Sequence, residues 1–489
     1  MLMPDATTLA RYQPVIGLEV HIQLQTESKV FAPEAFAFGA APNTQVSAVV
    51  YAHPGALPRP NQRCIDHMVT LGVATHSEIN PHAYFARKNY FYPDLPKGYQ
   101  ISQDQAPLCL GGYVEVPQPD GSLLRVNLER IHLEEDAGKS IHDQAPDATL
   151  IDLNRAGTGL AEMVTKPDLR SAEAAAAMLA EVRRIVRYLG VSDANMEQGN
   201  LRCDANVSVM PIAATAYGTR VEVKNLNSIS FLSKAITYEI HRQIDLIESG
   251  GQVQQQTRLW DASTQRTYPM RDKETAQDYR YFPEPDMLPI VVPEAQLAAT
   301  RQRQPRLPAT RWQDYLTSAH LGINEAFVLI EDRAFSDYYE ALRSLVPDAK
   351  VAANWLLGPV RTHLNEGSGD IADFALTPER LSQVIALVET QQVSLGAARD
   401  QLLPALLTQP DAEPPALAQQ LNLMMVSNRG DLTTAMEDLL LKHPQEVARY
   451  RKGKKNLAGF FVGQLMKAFQ GKADPQEVNR IVREKLDAR

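Results

Sequence analysis

Cysteine is scarce in this chain of 489 residues: Cys64, Cys109 and Cys203 stand far apart, and no CxxC pair occurs. Their number and spacing exclude a disulfide framework and a zinc ribbon, and leave each thiol to be read as a small buried hydrophobe. Nowhere do about 18 apolar residues run together, so no membrane span is expected. The segment Met1 to Gln13 carries Asp5 and Arg11 but not the apolar stretch of a signal peptide, and the expected setting is soluble and cytoplasmic. Gly138-Lys139-Ser140 invites a phosphate-loop reading that fails, because Leu133 stands where the loop needs its first glycine. Any nucleotide site must be built differently.

What is present is enough for two to four domains with a real core, given 44% hydrophobic and 22% charged residues. The net charge of −9 is unevenly spread: Pro444 to Arg489 holds eleven Lys or Arg against five Asp or Glu, a local +6 that leaves −15 on the rest. A basic terminal module on an acidic body suits phosphate contact by the tail and cation chemistry in the body, although solvated helix faces give such counts too.

The composition shifts near Thr300, from strand-like alternation with glycine, proline and aromatics to Leu and Ala at helical spacing. Val15 to Leu24 alternates, with Leu18, Val20, Ile22 and Leu24 on one face and Glu19, His21 and Gln23 on the other. Ser171 caps a helix running to Leu189, with Met178, Leu179, Val182, Val186 and Leu189 on one stripe and Gly190 after its end. Arg301 to Pro308 opens the helical part, in which Thr377 and Pro378 start a helix that turns Leu381, Val384, Ile385 and Val388 inward. A second linker, Thr408 to Pro415, precedes three short helical segments, the last with Asp474, Pro475 and Glu477 in a capping-box arrangement. The expected fold class is α+β: a mixed α/β domain over 1–300, an all-α domain over 301–411 and a small basic all-α domain over 412–489.

Glu19 and His21 lie roughly 6.6 Å apart along one strand face, a span that a shared cation and its water can bridge. A polar strand edge facing water is the plain alternative. Glu134, Glu135 and Asp136 repel one another unless a cation or solvent offsets them, so the run reads as a metal-binding turn or a solvated acidic loop. Asp204 on one strand and Glu222 and Lys224 on another precede Asn225 to Ser228, polar caps of a helix reaching about Ser249. Lys88 sits in a run of cations and rings, Arg87 to Asp94, repeated with more acid at Asp278 to Asp286; such mixtures suit base stacking, and also a Tyr-rich core corner. In the tail, Arg449, Arg451, Lys452, Lys454 and Lys455 surround Gly453, which breaks the helix and leaves the cations on an exposed loop.

Taken in order, "VIGLEVHIQL", "RKNYFYPDLPKGYQIS", "HLEEDAGKS", "DLNRAGTGLAEMV", "GNLRCDANVSV", "EVKNLNS", "DYRYFPEPD" and "VGQLMKAFQGKADPQEVN" resemble one family, the B subunit of the bacterial and organellar glutamyl-tRNA(Gln)/aspartyl-tRNA(Asn) amidotransferase. The resemblance covers nearly the whole chain. It implies a cradle-shaped catalytic domain, a helical domain and a tail similar to the YqeY family that contacts tRNA. It also implies ATP and Mg²⁺, with Mn²⁺ tolerated because of a histidine ligand, and metal ligands at Glu19, His21 and Glu135. Lys88 falls on a lysine near the catalytic cavity, as phosphate partner or channel residue, and Asp204, Glu222, Lys224 and Asn225 become site lining. Some members hold zinc through cysteines in the stretch matching Phe31 to Ala52; none stands there in this chain, so no zinc is expected.

The implied reaction turns the side-chain carboxylate of a mischarged Glu-tRNA(Gln) or Asp-tRNA(Asn) into an amide. A carboxylate is a poor electrophile toward ammonia and must first gain a leaving group, which ATP supplies as an acyl phosphate. No Gly-Gly-Ser-Ser-Gly run and no cysteine in a nucleophile's context is present, so ammonia is expected from partners: a glutaminase A subunit, together with a small C subunit that braces the pair in a heterotrimer. A tRNA adaptor without catalysis would leave Glu19, His21 and Glu135 unemployed. A self-contained metallohydrolase would lack a nearby second histidine.

Overall fold

The computed structural model describes residues 5–142, 144–270, 278–367, 369–425, 429–469 and 473–488. Met1 to Pro4, the Gln470, Gly471 and Lys472 of the basic tail, and Arg489 lie outside them. The chain divides into two compact units, Met1–Asp314 and Tyr315–Arg489.

The first unit is built on a ten-stranded sheet. Its main strands are β1 (Tyr12–Gln23), β2 (Leu123–Glu135), β3 (Gly159–Thr165), β4 (Leu201–Pro211), β5 (Val221–Lys224), β6 (Gln256–Asp261) and β7 (Arg266–Pro269). They lie in the order β7-β6-β5-β4-β1-β3-β2, followed by the short strands Cys109–Leu110 and Glu78–Ile79, with Tyr113–Pro117 also on β2. β1 is the hub, antiparallel to β4 on one side and β3 on the other. β5 and β6 are parallel, and as parallel neighbours require, a helix crosses between them.

Three helices matter for the site: α1 (Gln62–Ala74), α2 (Ala172–Tyr188) and α3 (Ile229–Glu248). Ser171 caps α2 by accepting from Ala174 N, and Ser228 caps α3 by accepting from Phe231 N. Their apolar stripes share one core with Leu18, Val20 and Ile22 of β1, through Met178, Leu179 and Val182 of α2 and Leu232 and Ile236 of α3. Because side chains alternate along a strand, burying that face turns Glu19, His21 and Gln23 to the other. Leu189, expected on the α2 stripe, is only partly buried, and Ile185 is buried as well.

The second unit is helical among its described residues. Thr377 caps α4 (Pro378–Glu389), whose buried residues are Leu381, Val384, Ile385 and Leu387, while Val388 is half-buried. The tail contains more helices than the three expected: after Pro414–Gln420 come α5 (Arg429–Lys442), α6 (Pro444–Arg451), α7 (Ala458–Ala468) and α8 (Pro475–Asp487). Pro444 separates α5 from α6, and Gly453, at φ +106°, ends the next turn. These four helices share a core of their own, including Leu432, Met436, Tyr450, Phe461, Leu465 and Ile481. Asp474 does cap α8, accepting from Gln476 N, but the expected capping box does not form. The Glu477 carboxylate is taken by Arg480 and faces Arg429 at 3.7 Å instead.

Candidate active site

The polar face of the sheet centres on β1, and the strand register decides which residues meet there. His21 stands opposite Glu162 of β3, which stands opposite His132 of β2. On the other side Glu19 is paired with Asp204 and His21 with Arg202. His21 Nε2 lies 3.4 Å from Glu162, 3.8 Å from Glu19 and 3.9 Å from Glu134. His132 Nε2 lies 3.3 Å from Glu162 and 3.4 Å from Glu134. Three carboxylates and two imidazoles therefore converge.

Their protonation follows from crowding. Burial raises the Glu19 carboxyl, and the Glu162 charge adds to it. Burial alone would lower both histidines, but the hydrogen bond and charge of Glu162, with Glu134 behind it, outweigh it: His21 is raised, and His132 is raised to about 9. Burial would likewise raise Glu134 and Glu162, yet the histidines hold both below the ordinary carboxylate value.

Glu135 does not join Glu19 and His21. On a strand it faces opposite to Glu134, and its carboxylate is held by Lys97 Nζ through both oxygens and by Ile101 N at 2.9 Å. Nor is the acidic run a solvated loop or a turn: Glu134, Glu135 and Asp136 are all buried, at the end of β2 and just beyond it. Asp136 accepts from Arg202 at 2.6 Å. Lys88 lies on a separate hairpin, Ala86–Asn89 and Tyr99–Ser102, with its ammonium 4.9 Å from the Tyr279 ring centre. That hairpin is fastened to the acidic run by Ser102 Oγ donating to Glu134 and Gln100 Nε2 donating to the Glu135 carbonyl.

Asp204, Glu222 and Lys224 do come together. The Lys224 ammonium bridges Asp204 at 2.6 Å and Glu222 at 2.8 Å, and although burial opposes its charge, the two carboxylates raise it above the ordinary lysine value. Asn225 serves the turn instead: it sits at φ +67°, and its amide donates to the Trp260 carbonyl.

Comparison with known proteins bears on the chain as a whole. The family model described as the GatB/GatE catalytic domain matches residues 14–298, and the one described as the GatB domain matches 337–486. The B subunit of the aspartyl/glutamyl-tRNA(Asn/Gln) amidotransferase of Salinibacter ruber is 46% identical, with 98% of each chain covered. The proteins of the same description from Chlorobium chlorochromatii and Geobacter sulfurreducens are 46% and 44% identical over 97% of this chain and 99% of theirs. This chain belongs to the family of amidotransferase B subunits.

As one subunit of an amidotransferase, an enzyme of the ligase class, it has a polar face whose donors can be tested against the divalent cation that the family resemblance implies. One oxygen or nitrogen each from Glu19, His21 and Glu162, and likewise from His132, Glu134 and Glu162, lie within 4.8 Å of one another. Carboxylates crowded together with histidine nitrogens are a donor set that a cation fits. Sequence reasoning missed Glu162 and His132, and named Glu134 only within the acidic run. His132 was within reach, since His132 and Glu134 repeat on β2 the same two-residue spacing that singled out Glu19 and His21; Glu162 needs the register of β3.

In the tail of this family member, Arg449 and Arg451 lie in the last turn of α6 rather than on a loop. Arg451 donates to the Ala488 carbonyl, and Lys455 pairs with Asp487 at 2.6 Å and lies 4.1 Å from the Tyr450 ring centre. Arg449, Lys452 and Lys454 are exposed and make no side-chain ion pair among the described residues. No helix among the described residues is long and apolar enough to cross a membrane.

Proposed function

We propose that this chain catalyses the ATP-dependent transamidation of mischarged Glu-tRNA(Gln), Asp-tRNA(Asn) or both, within a cytoplasmic heterotrimer. The observation that carries the reading is the convergence of Glu19, His21 and Glu162 on the polar face. In the reaction the substrate carboxylate oxygen bonds to the γ-phosphorus of ATP and ADP leaves; ammonia then bonds to the acyl carbon and inorganic phosphate leaves. Glu19, His21 and Glu162 would hold Mg²⁺ or Mn²⁺, with Glu134 in reach, and the cation would supply charge neutralisation at the phosphate oxygens.

The chain's own cations on this face are Lys224, kept charged and fixed by Asp204 and Glu222, and Arg202, fixed by Asp136. They suit the charge that spreads over a transferring phosphoryl group. Lys88, on its separate hairpin, is taken from the family resemblance as phosphate partner or channel residue. Glu135 positions Lys97 and the hairpin. Ammonia comes from a glutaminase A subunit, and a C subunit holds the pair together. Burial pushes the Cys64 and Cys109 thiols up to about 12 and Cys203 well above its ordinary value, so no ready thiolate is available for a glutaminase step. We divide the chain into a cradle domain over 1–300, a helical domain over 301–411 and a tRNA-contacting tail over 412–489, where Arg449, Arg451, Lys452, Lys454 and Lys455 meet the phosphate backbone.

The test is amide formation by the assembled heterotrimer with mischarged tRNA, ATP and glutamine. Glu162→Gln should lose on the order of a hundredfold, keep glutamine hydrolysis, and recover in part when Mg²⁺ is raised. Glu135→Gln should also lose activity, without recovery by Mg²⁺. Full activity of Glu162→Gln at ordinary Mg²⁺ would overturn the assignment.

A further inference from the structure

The hairpin that carries Lys88 has an outer margin that the acidic cluster does not use. Phe282–Pro283 adds a third strand to it, with Phe282 opposite Arg87. From there the chain continues alongside, where Glu284 N donates to the Phe85 carbonyl and Ile290 N to the Ala83 carbonyl. Residues 282–291 are thus laid along residues 83–91 as one strip. It runs from Phe91 to Val291, at most about 30 Å at roughly 3.3 Å per residue.

The strip is apolar and bare. Among the described residues, the large apolar side chains more than three-quarters exposed are Leu288, Leu441, Phe91 and Val291, at 86%, 80%, 78% and 76%, and all but Leu441 lie on it. Tyr92 and Phe282 are exposed there too. The five side chains together offer on the order of 600 Å², taking 150–250 Å² for a whole aromatic residue. A monomer rarely leaves so large a patch to water, and a standard interface takes about 800 Å² from each partner. Pro283, Pro285 and Pro289 fix the backbone of the strip, so little order has to be gained when something binds.

Charge decides what kind of partner covers it. Residues 282–293 contain no Lys or Arg, and their two acids are answered within the fold: Arg87 donates to Glu284 at 2.7 and 2.8 Å and to Asp286 at 3.1 Å. A phosphate backbone is held by cations and finds none along residues 282–293. An uncharged apolar protein face fits. Position narrows the partner further, because the same hairpin donates through Ser102 to Glu134 and through Gln100 to the Glu135 carbonyl. Beside it burial raises the Tyr90 and Tyr281 hydroxyls, and the Glu134 charge adds to the effect in both. Ammonia set free in bulk water becomes ammonium and no longer attacks an acyl carbon, so its source has to be seated close to the acidic run.

We propose that the strip from Phe91 to Val291 is the docking surface of the subunit that supplies ammonia. The proposal rests on the transamidation reading, in which this chain has no glutaminase of its own. Docking there braces the partner against the hairpin that is tied to Glu134 and Glu135.

The experiment measures the affinity of this chain for the glutaminase subunit in a dilution series of the assembled complex, followed by sedimentation. The double variant Leu288→Glu/Val291→Glu should bind at least tenfold more weakly with an unchanged thermal melt, and Leu288→Met should bind as the wild type does. At a dilution that separates the variant complex, amide formation from glutamine should fall at least tenfold, and ammonium salt with the same tRNA and ATP should restore it. Unchanged affinity in the double variant overturns the proposal, as does an equal loss in Leu441→Glu in the second unit. Loss of tRNA binding, or of a dimer of this chain, with the glutaminase subunit still bound would give the strip to RNA or to a second copy and overturn it too. A wild-type complex that makes no amide from glutamine or from ammonium fails the transamidation reading instead, and the affinity series still tests the strip.

Discussion

At Lys29, burial and pairing pull in opposite directions. The side chain is almost wholly covered, with Glu34 and the Gln45 carbonyl as partners, and burial wins: the ammonium falls from its ordinary 10.5 to about 8. Between those values the unfolded chain keeps a proton that the folded chain has released, so stability gains with rising pH across the window. Below pH 8 the cost of covering the charge is present in full. The stability of the wild type relative to Lys29→Met should therefore be flat from pH 6 to 7.5 and move in the wild type's favour from about pH 8 toward 10, in paired thermal melts. A flat difference throughout would mean that the ammonium is solvated. Glu135 shows where reading single residues stops. An acidic run announces that cations are near, but which member faces which neighbour depends on strand phase. Glu134 looks to His21 and His132, and Glu135 looks to Lys97. The spacing of Glu19 and His21 was legible because both lie on one strand. Glu162 was not, because a register between distant strands brings it there.

At the scale of elements, what was legible is what local chemistry specifies. The alternation of β1 and the Ser171, Thr377 and Asp474 caps are short-range signals, and the structure keeps them. Glu477 was misread because a long-range arginine, Arg429, and its own helical neighbour Arg480 compete for it. Where α1 hands the chain toward β2, the joint depends on a glycine. Gly112 has φ +94°, and a Cβ there would stand 2.4 Å from the Thr75 carbonyl oxygen and 2.8 Å from Ser77 N. Its own carbonyl accepts from Leu128 N of β2. Gly112→Ala should lose about 1–3 kcal/mol in urea unfolding, because backbone cannot yield as a flexible side chain would. Gly111→Ala, at φ +57° with nothing within 4 Å, should lose less. Equal losses would remove the close approach as the cause.

For the whole molecule, the division into a sheet-bearing unit and a helical one was legible in composition, since strand alternation and helical Leu and Ala spacing differ in period. The basic tail was legible as charge but not as availability. Lys455 is tied to Asp487 and Arg451 to the Ala488 carbonyl, while Arg449, Lys452 and Lys454 are exposed. If those three meet tRNA phosphates, replacing them with Gln should reduce the log-log salt slope of tRNA binding by about 2 to 3, at roughly 0.7 to 0.9 per contact. An unchanged slope would leave tRNA to the rest of the assembly. The placement of sulfur carries a last consequence. All three thiols lie buried in the first unit, at Cys64, Cys109 and Cys203, and no cysteine follows Cys203. A thiol reagent added to the native protein thus has nothing to react with until the sheet opens, whatever the helical half is doing. The rate of alkylation becomes a clock for the opening of the first unit alone. Compared with global loss of helical signal on heating, it would report whether the two halves unfold together or in turn.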